Sequence, residues 1–498
     1  MALTELAQRL EALTHEAVVG LFGDSPPDGP DSQSALLVVN PSPFTRRDLL
    51  TIPSPDSDRS PVLDGERLPS QLVDDGGART LLVELPEIPE RGFRVVEWVA
   101  NMRQEAETIQ GFEDVVAGED GEGIWLTNGF FNIRLNRVGE IASLIDQRVA
   151  GGRELIPAGA PANRLTAYED LPRDFDAWDI DAYYTRKPYH IDTTNVMLVE
   201  RGPLRAAVRI ERRFRDSVIV QRMIVYRTLP QIDFETHIDW HEQHMLLKTA
   251  FPLDLRAPHI TYETQFGAVE RPLHRNTSWE QARFEFPAHR WVDLSEADYG
   301  ASVLNDGRYG HDVVNGKIGL SLLRSPTSPD PQADQGEHNI TYSLYPHLGD
   351  WRRGETVAAA YALNRPLLLD KVPAIAREDG REWERAGTAP SAIIWATDAD
   401  GVVIEAVKRA QDGDHLIVRF YEAYGARERA TIHCALPLGE VVECDLLERP
   451  LAPESSPAYA LWQASPAASH DVPLIEERQW SCEFRPFEIR TFRITLGR

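Results

Sequence analysis

The sequence predicts a mainly β protein: a large antiparallel sandwich flanked by smaller β-sandwich domains, with one short N-terminal helix. Three observations predict it. From Ala35 onward apolar residues alternate with polar ones or run in short stretches closed by turn residues, as in ALLVVNP, RTLLVELPEIP and GFRVVEWV, the pattern of strands with one or both faces buried. Helical periodicity is nearly absent after residue 25. The strands of the middle region are too many for a single covered face, so two inner faces must pack on each other.

At the N-terminus Leu3, Leu6, Leu10, Leu13 and Ala17 recur at three- and four-residue steps, giving residues 1–22 one apolar stripe on an amphipathic helix. One helix cannot bury its own stripe. It must pack on the body of the protein, on a second copy, or on helices supplied from upstream. Asp24 to Ser34 is rich in Pro, Gly, Asp and Ser and reads as a linker. A small β domain follows over residues 35–100, then an acidic, Gly-containing linker over 103–123. Residues 125–136 alternate as one strand, and 136–140 supply the turn into a strand at 141–146, making a hairpin. Strands at 204–214, 218–226, 232–240, 318–323 and 339–345 place a large sandwich over residues 124–370. The Pro- and charge-rich passage 365–390 separates it from strands at 392–397, 402–407, 415–421, 430–434, 441–445 and 487–495, a C-terminal β-sandwich over 388–498.

A chain of 498 residues exceeds what one compact core organises, in keeping with several domains. Its 52 basic against 78 acidic side chains give a net charge of -26, which repels phosphate backbones and anionic headgroups and argues against nucleic-acid and membrane partners. No apolar run approaches the roughly 18 residues that span a bilayer. The opening MALTELAQRLEAL carries acids where a signal peptide needs a basic start and an apolar stretch, so the expected location is cytoplasmic. Cys434, Cys444 and Cys482 are an odd count without metal-type spacing. Free thiols are expected rather than a disulfide framework.

The stretch RDFDAWDIDAYYTRKP, residues 173–188, gathers carboxylates and tyrosines around Trp178. Aromatic faces stack on the apolar side of a pyranose, while Asp176, Asp179 and Asp181 can accept hydrogen bonds from its hydroxyls. A solvated acidic loop whose aromatics plug an edge would read the same way. In THIDWHEQH, His237, Asp239 and His241 share one strand face with His244 just beyond, a set that suits an open three-ligand zinc site or an ordinary exposed polar face. Residues 262–294 mix aromatics with Glu263, Glu270, Arg271, His274, Arg275, Glu280 and Glu285 in a weakly periodic segment. That is the composition of a long binding loop, or of a surface excursion pinned by its aromatics. NDGRYGHD, residues 305–312, is a turn presenting Arg308, Tyr309, His311 and Asp312, and DPQADQGEH, residues 330–338, sets Asp334, Glu337 and His338 at the mouth of a strand. Paired carboxylates abound, but sequence spacing does not supply the separation that a glycosidase acid pair requires. No G-x-S-x-G elbow, phosphate-cradling glycine loop or H-E-x-x-H motif is present.

The blocks WLTNGFFNIRLNRVGEIASLIDQRVAGGREL, RLTAYEDLPRDFDAWDIDAYY, DWHEQHMLLKTAFPLDL, ETQFGAVERPLHRNTSWEQARFEFPAHRWVDLSE, YGASVLNDGRYGHDV, LSLLRSPTSPDPQADQGEHNITYSLYPH and FRPFEIRTFRI resemble, in order, the C-terminal half of glycoside hydrolase family 38 α-mannosidases of the bacterial and cytosolic type. The resemblance runs from about residue 35 to the end. It implies an enzyme of terminal α-mannose hydrolysis in which a barrel holds zinc and an aspartate nucleophile, followed by a three-helix bundle and β domains. The barrel motifs match no position here, so no catalytic residue and no metal ligand is expected in this chain, and zinc is expected in the missing catalytic domain. Residues 1–21 resemble the last helix of the bundle, which would explain the orphan stripe. The middle region resembles a galactose-mutarotase-like supersandwich that lends residues to the rim of the mannose pocket. Carried over by position, those are Trp178, Asp179, Tyr183 or Tyr184, Arg308 and His338. The expected partners are α-mannoside glycans and a catalytic barrel or helix-bundle partner, or a second copy. An independent carbohydrate-binding supersandwich with its own site at the Trp178 loop, and a purely structural interaction module, remain the alternatives.

Overall fold

In the computed structural model, residues 5, 9, 12–16, 19, 34–54, 59–74, 79–100, 112–373, 395–434, 436–451, 475–476 and 478–497 are described. The middle region is built on a nine-stranded antiparallel sheet in the order Asp192–Arg201, Arg205–Phe214, Ser217–Tyr226, Ile232–Trp240, Gly336–Leu348, Tyr299–Asn305, Trp291–Ser295, His259–Thr264 and Gly267–Pro272. It packs against a six-stranded sheet (Pro188–Tyr189, Arg164–Glu169, Met245–Pro252, Lys317–Leu323, Gly310–Val314, Phe286–Pro287) and a five-stranded one (Arg153–Glu154, Ile141–Asp146, Phe131–Leu135, Gly123–Thr127, Val116–Asp120). One apolar cluster joins all three sheets.

Alternation does this work strand by strand. In Ile232–Trp240 the residues Ile232, Phe234, Ile238 and Trp240 are buried while Glu235 and His237 face outward. Phe234 stacks on Tyr342 from the neighbouring strand at 5.1 Å, and each such large side chain buried contributes about 1.5–3 kcal/mol. The polar groups inside are matched to one another. The Asn163 amide donates to Gln221 at 2.7 Å, and the Gln221 amide donates to the Tyr342 hydroxyl at 2.7 Å, which removes the penalty of burying them.

Two local expectations are corrected. Residues 125–136 are two strands rather than one, because Asn128 turns the chain: its side-chain oxygen accepts from the backbone N–H groups of Phe130 and Phe131 at 2.9 and 2.6 Å. The passage 262–294 is mostly regular. His259–Thr264 and Gly267–Pro272 form a hairpin, Ser278–Ala282 is a helix with a Thr277–Glu280 capping box, and Trp291–Ser295 is a strand of the nine-stranded sheet.

In the N-terminal β unit, Ser34–Val39 lies between Phe93–Ala100 and Leu368–Pro373, and Arg46–Pro53, Arg79–Ile88 and Ser70–Asp74 form a second sheet. Arg227, fully buried, pairs with the buried Glu84 and ties this unit to the sandwich. The described residues before position 20 are helical. Of the apolar stripe only Leu13 is described, and it is exposed; His15 pairs with Asp370 at 3.0 Å. At the other end of the chain, two four-stranded sheets enclose a core that includes Trp395, Phe420, Trp480 and Phe492. Cys434, Cys444 and Cys482 are all free and buried there. The helix Thr356–Asn364 wedges between this sandwich and the nine-stranded sheet, burying Val357, Ala360 and Tyr361 among Trp291, Trp351 and Tyr421. No helix among the described residues is long and apolar enough to cross a membrane.

Candidate functional site

Three connections meet at one end of the large sandwich, residues 170–187, 241–244 and 324–335, and the turn 306–309 leaves the nine-stranded sheet at the same end. The first is the longest, and Arg324 organises it. Its Nε lies 2.5 Å from Asp170, which is 2% exposed, and its other nitrogens donate to the carbonyls of Asp176 and Ala177 at 3.0 and 3.2 Å and to that of Asp179. Asp176 fastens the same loop from the opposite side. Its Oδ2 accepts from the backbone N–H groups of Thr327 and Ser328 at 2.8 and 2.9 Å. Burial would lift this carboxyl, but those hydrogen bonds outweigh it and hold it below the usual carboxylate range.

With its backbone pinned, the loop turns at Phe175, whose φ of 58° lies in the left-handed region, and the N–H groups of Trp178 and Asp179 both donate to the Phe175 carbonyl. Trp178 is thereby displayed at 72% exposure, beside an equally exposed Phe175. Asp179 is exposed and gives one oxygen to the N–H of Ile180. Asp181 is engaged by the Arg173 N–H at 2.8 Å and the Tyr183 hydroxyl at 2.6 Å. Tyr183 is half-exposed, whereas Tyr184 is buried with its hydroxyl 2.5 Å from Glu285. Arg308 is half-buried on a turn closed by the Asn305 side chain, which accepts from the N–H groups of Gly307 and Arg308. His338 is half-buried, with Nε2 3.0 Å from the Asp334 carbonyl, and Asp334 in turn accepts from the N–H groups of Arg324 and Ser325. Trp178, Asp179, Tyr183 and His338 therefore belong to one hydrogen-bonded loop network, Arg308 lies on a turn at the same end of the sheet, and Tyr184 faces the interior. An exposed indole next to the exposed Asp179 carboxylate, one of whose oxygens stays uncommitted, can bind a polyhydroxylated ring.

The imidazoles of THIDWHEQH do not converge. His237 meets Asn339 at 3.0 Å, His241 meets Asp239 at 2.9 Å, and His244 turns to Asp176 at 3.6 Å. Among the described residues no three metal-ligating side chains come together, so zinc does not fit them. Ser302, His347 and Asp293 also meet, but both neighbours approach the same Nε2, at 3.4 and 2.8 Å, in a fully buried site. Nucleophile and orienting acid need opposite ring nitrogens, so this network is structural and anchors the helix through Thr356.

Sequence reasoning passed over Lys248, whose only signal is a lone cation in the apolar strand MLLKTAFP. It is 5% exposed, with Nζ 2.5 Å from Glu285, 2.6 Å from Asp312 and 3.3 Å from the Tyr184 hydroxyl. Burial acts against its charge, yet the two carboxylates outweigh burial and hold its pKa above the usual lysine range. Gly319 makes room for the cluster: a Cβ there would fall 2.1 Å from Oδ1 of Asp312.

His311, next in the chain to Asp312 and near Lys248, is fully buried, and burial pushes its pKa down to about 4. The folded chain keeps it neutral where the unfolded chain protonates near pH 6.5. It therefore adds stability above that pH which drains away between pH 6.5 and 4, reaching about 3 kcal/mol. Urea titrations across that window should show a shallower pH dependence for His311→Gln than for the parent; identical slopes would refute the assignment.

Residues 126–332 match the family model described as "Glycosyl hydrolases family 38 C-terminal domain", and residues 401–492 match "Glycosyl hydrolases family 38 C-terminal beta sandwich domain". Alpha-mannosidase 2C1 of Homo sapiens is 35% identical over 428 residues, covering 85% of this chain and 38% of the relative. Alpha-mannosidase G of Dictyostelium discoideum is 34% identical over 380 residues, covering 74% and 32%. The chain thus spans well under half the length of these relatives. A crystal structure of an alpha-mannosidase from Enterococcus faecalis V583 superimposes with a TM-score of 0.71 at 17% identity, covering 94% of this chain and 56% of that one, a likeness of fold.

Proposed function

The chain belongs to glycosyl hydrolase family 38, whose C-terminal domain and C-terminal beta sandwich it carries in order, and from this premise we propose that it forms the non-catalytic part of an α-mannosidase. In this reading residues 1–498 supply the rim of a pocket for a terminal α-mannosyl residue: Trp178 stacks on the sugar, while Asp179, Tyr183, Arg308 and His338 address its hydroxyls. The bond-breaking groups and zinc belong to a catalytic barrel that is no part of this sequence, whether it is joined to the same polypeptide or borne on another. The observation that carries the reading is the coincidence of two ordered family matches with a loop that presents a fully displayed Trp178 on a backbone held by Arg324.

The test uses the purified 498-residue chain with an aryl α-mannoside. No turnover and no stoichiometric zinc is expected, and mixing with a family 38 barrel and helix-bundle fragment should produce turnover that Trp178→Ala weakens about tenfold or more, the scale of about 1.4 kcal/mol or more of lost binding. Turnover by the chain alone, with bound metal, would overturn the proposal. Calorimetric mannose binding by the chain alone, with no gain on adding the barrel fragment, would favour the stand-alone carbohydrate-binding protein.

A further inference from the structure

A cavity lies between the strand Gly267–Pro272 and the 273–286 segment, with a volume of about 120 Å³. That is room for several water molecules, and so for a small ion. Its walls include Tyr262, Arg271, His274, Arg275, Glu280 and Arg283. Tyr262 is 1% exposed, its hydroxyl has no hydrogen-bond partner, and Nε of Arg271 is likewise buried without one. A buried donor left unmatched costs about 1–3 kcal/mol, and native interiors seldom leave two beside one cavity. Arg271 is held by ring faces, its guanidinium carbon 4.6 Å from the Phe286 centroid and 5.7 Å from that of Tyr262.

None of the described acids nearby forms an ion pair with these cations, and Glu285 and Asp312, close enough to act on Tyr262, are paired with Lys248. Glu280 is occupied by the N–H groups of Asn276 and Thr277 at 2.7 and 3.0 Å and by His274 at 3.3 Å, and Glu270 is exposed. Arg275 donates to the Val313 carbonyl at 3.4 Å. Among the described residues no ion pair engages Arg271, Arg275 or Arg283. A chain of net charge -26 repels anions in general, so a recess with three guanidinium groups against the two carboxylates Glu270 and Glu280 in its lining is a local exception.

We propose that this cavity binds a small oxyanion of the phosphate class. Three guanidinium groups and a buried tyrosine hydroxyl in one lining suit an anion with several oxygens better than a single carboxylate, the guanidinium forks giving charge-assisted hydrogen bonds and the Tyr262 hydroxyl a further donor. The assignment is independent of the mannosidase reading.

Isothermal titration of the full chain with inorganic phosphate at constant ionic strength should show saturable binding of one equivalent. Arg271→Gln should weaken it about tenfold or more, as expected for the loss of a charge-assisted hydrogen bond. Tyr262→Phe should weaken it as well without lowering the melting temperature, because the free form loses only an unmatched donor. Arg283→Gln, at an exposed position, provides a variant whose folding is not at issue and should also reduce affinity. Mannose 6-phosphate binding more tightly than phosphate would identify a phosphorylated sugar as the source, and equal affinities would identify the free ion. Absence of saturation in the millimolar range, or binding unchanged in both arginine variants, would overturn the proposal.

Discussion

Lys248→Met is expected to destabilise the chain by about 3–5 kcal/mol, the cost of breaking a buried ion cluster from one side. The substitution roughly preserves volume, so little of the loss comes from packing. What remains is Glu285 and Asp312 facing each other with no cation between them, and burial already lifts the Glu285 carboxyl above its usual range. The pH dependence follows in sign. A carboxyl whose folded pKa exceeds its unfolded value contributes stability that is complete below the unfolded pKa and lost as pH rises through the folded one. The variant should therefore recover part of its deficit on acidification. Combining it with Glu285→Gln and Asp312→Asn should restore more than either does alone, since the three side chains act as one unit. Urea midpoints at neutral and mildly acidic pH measure all of this, and a loss below about 1 kcal/mol would show that the cluster behaves like a surface pair.

Arg324→Ala should cost about 3 kcal/mol, because it leaves Asp170 buried without its partner, and in the proposed mannosidase it should abolish sugar binding at the Trp178 loop. Burial already holds the Asp170 carboxyl above its usual range against the pull of Arg324. The same substitution frees the carbonyls of Asp176, Ala177 and Asp179, which would release the turn that displays Trp178. Limited proteolysis reports that release as new cleavage within residues 172–181, and mannoside affinity of the reconstituted enzyme reports its consequence. Unchanged proteolysis and unchanged affinity would show that Asp176 holds the loop unaided. Arg324→Lys separates charge from geometry, since an ammonium can pair with Asp170 but cannot reach three further carbonyls in one plane.

The sandwich was legible because burial imposes period two wherever a strand has one wet face, as in Ile232–Trp240, where the expected and observed bounds coincide. Met245–Pro252 and Tyr299–Asn305 are not legible in the sequence because both are almost wholly buried, and a strand covered on both sides carries no alternation to read. The turn at Asn128 is a local hydrogen-bond choice that an alternating pattern hides. Of the rim, the residue types of the Trp178 loop were readable. Which of two adjacent tyrosines faces outward was not, because a single helical turn at Ala182–Arg186 decides it. Lys248 joins carboxylates 37 and 64 residues away in sequence, and no local pattern encodes such a meeting. The order of nine strands in one sheet is hidden from the sequence for the same reason.

The pairing of Ser34–Val39 with Leu368–Pro373 sets a timetable for biosynthesis. A ribosome adding about 5–20 residues per second needs roughly 14–55 s to travel from Ala100 to Pro373, and throughout that interval the first unit presents an open edge strand able to recruit any extended neighbour. Nascent chains stalled before residue 368 should therefore depend on chaperones far more than chains released after residue 373.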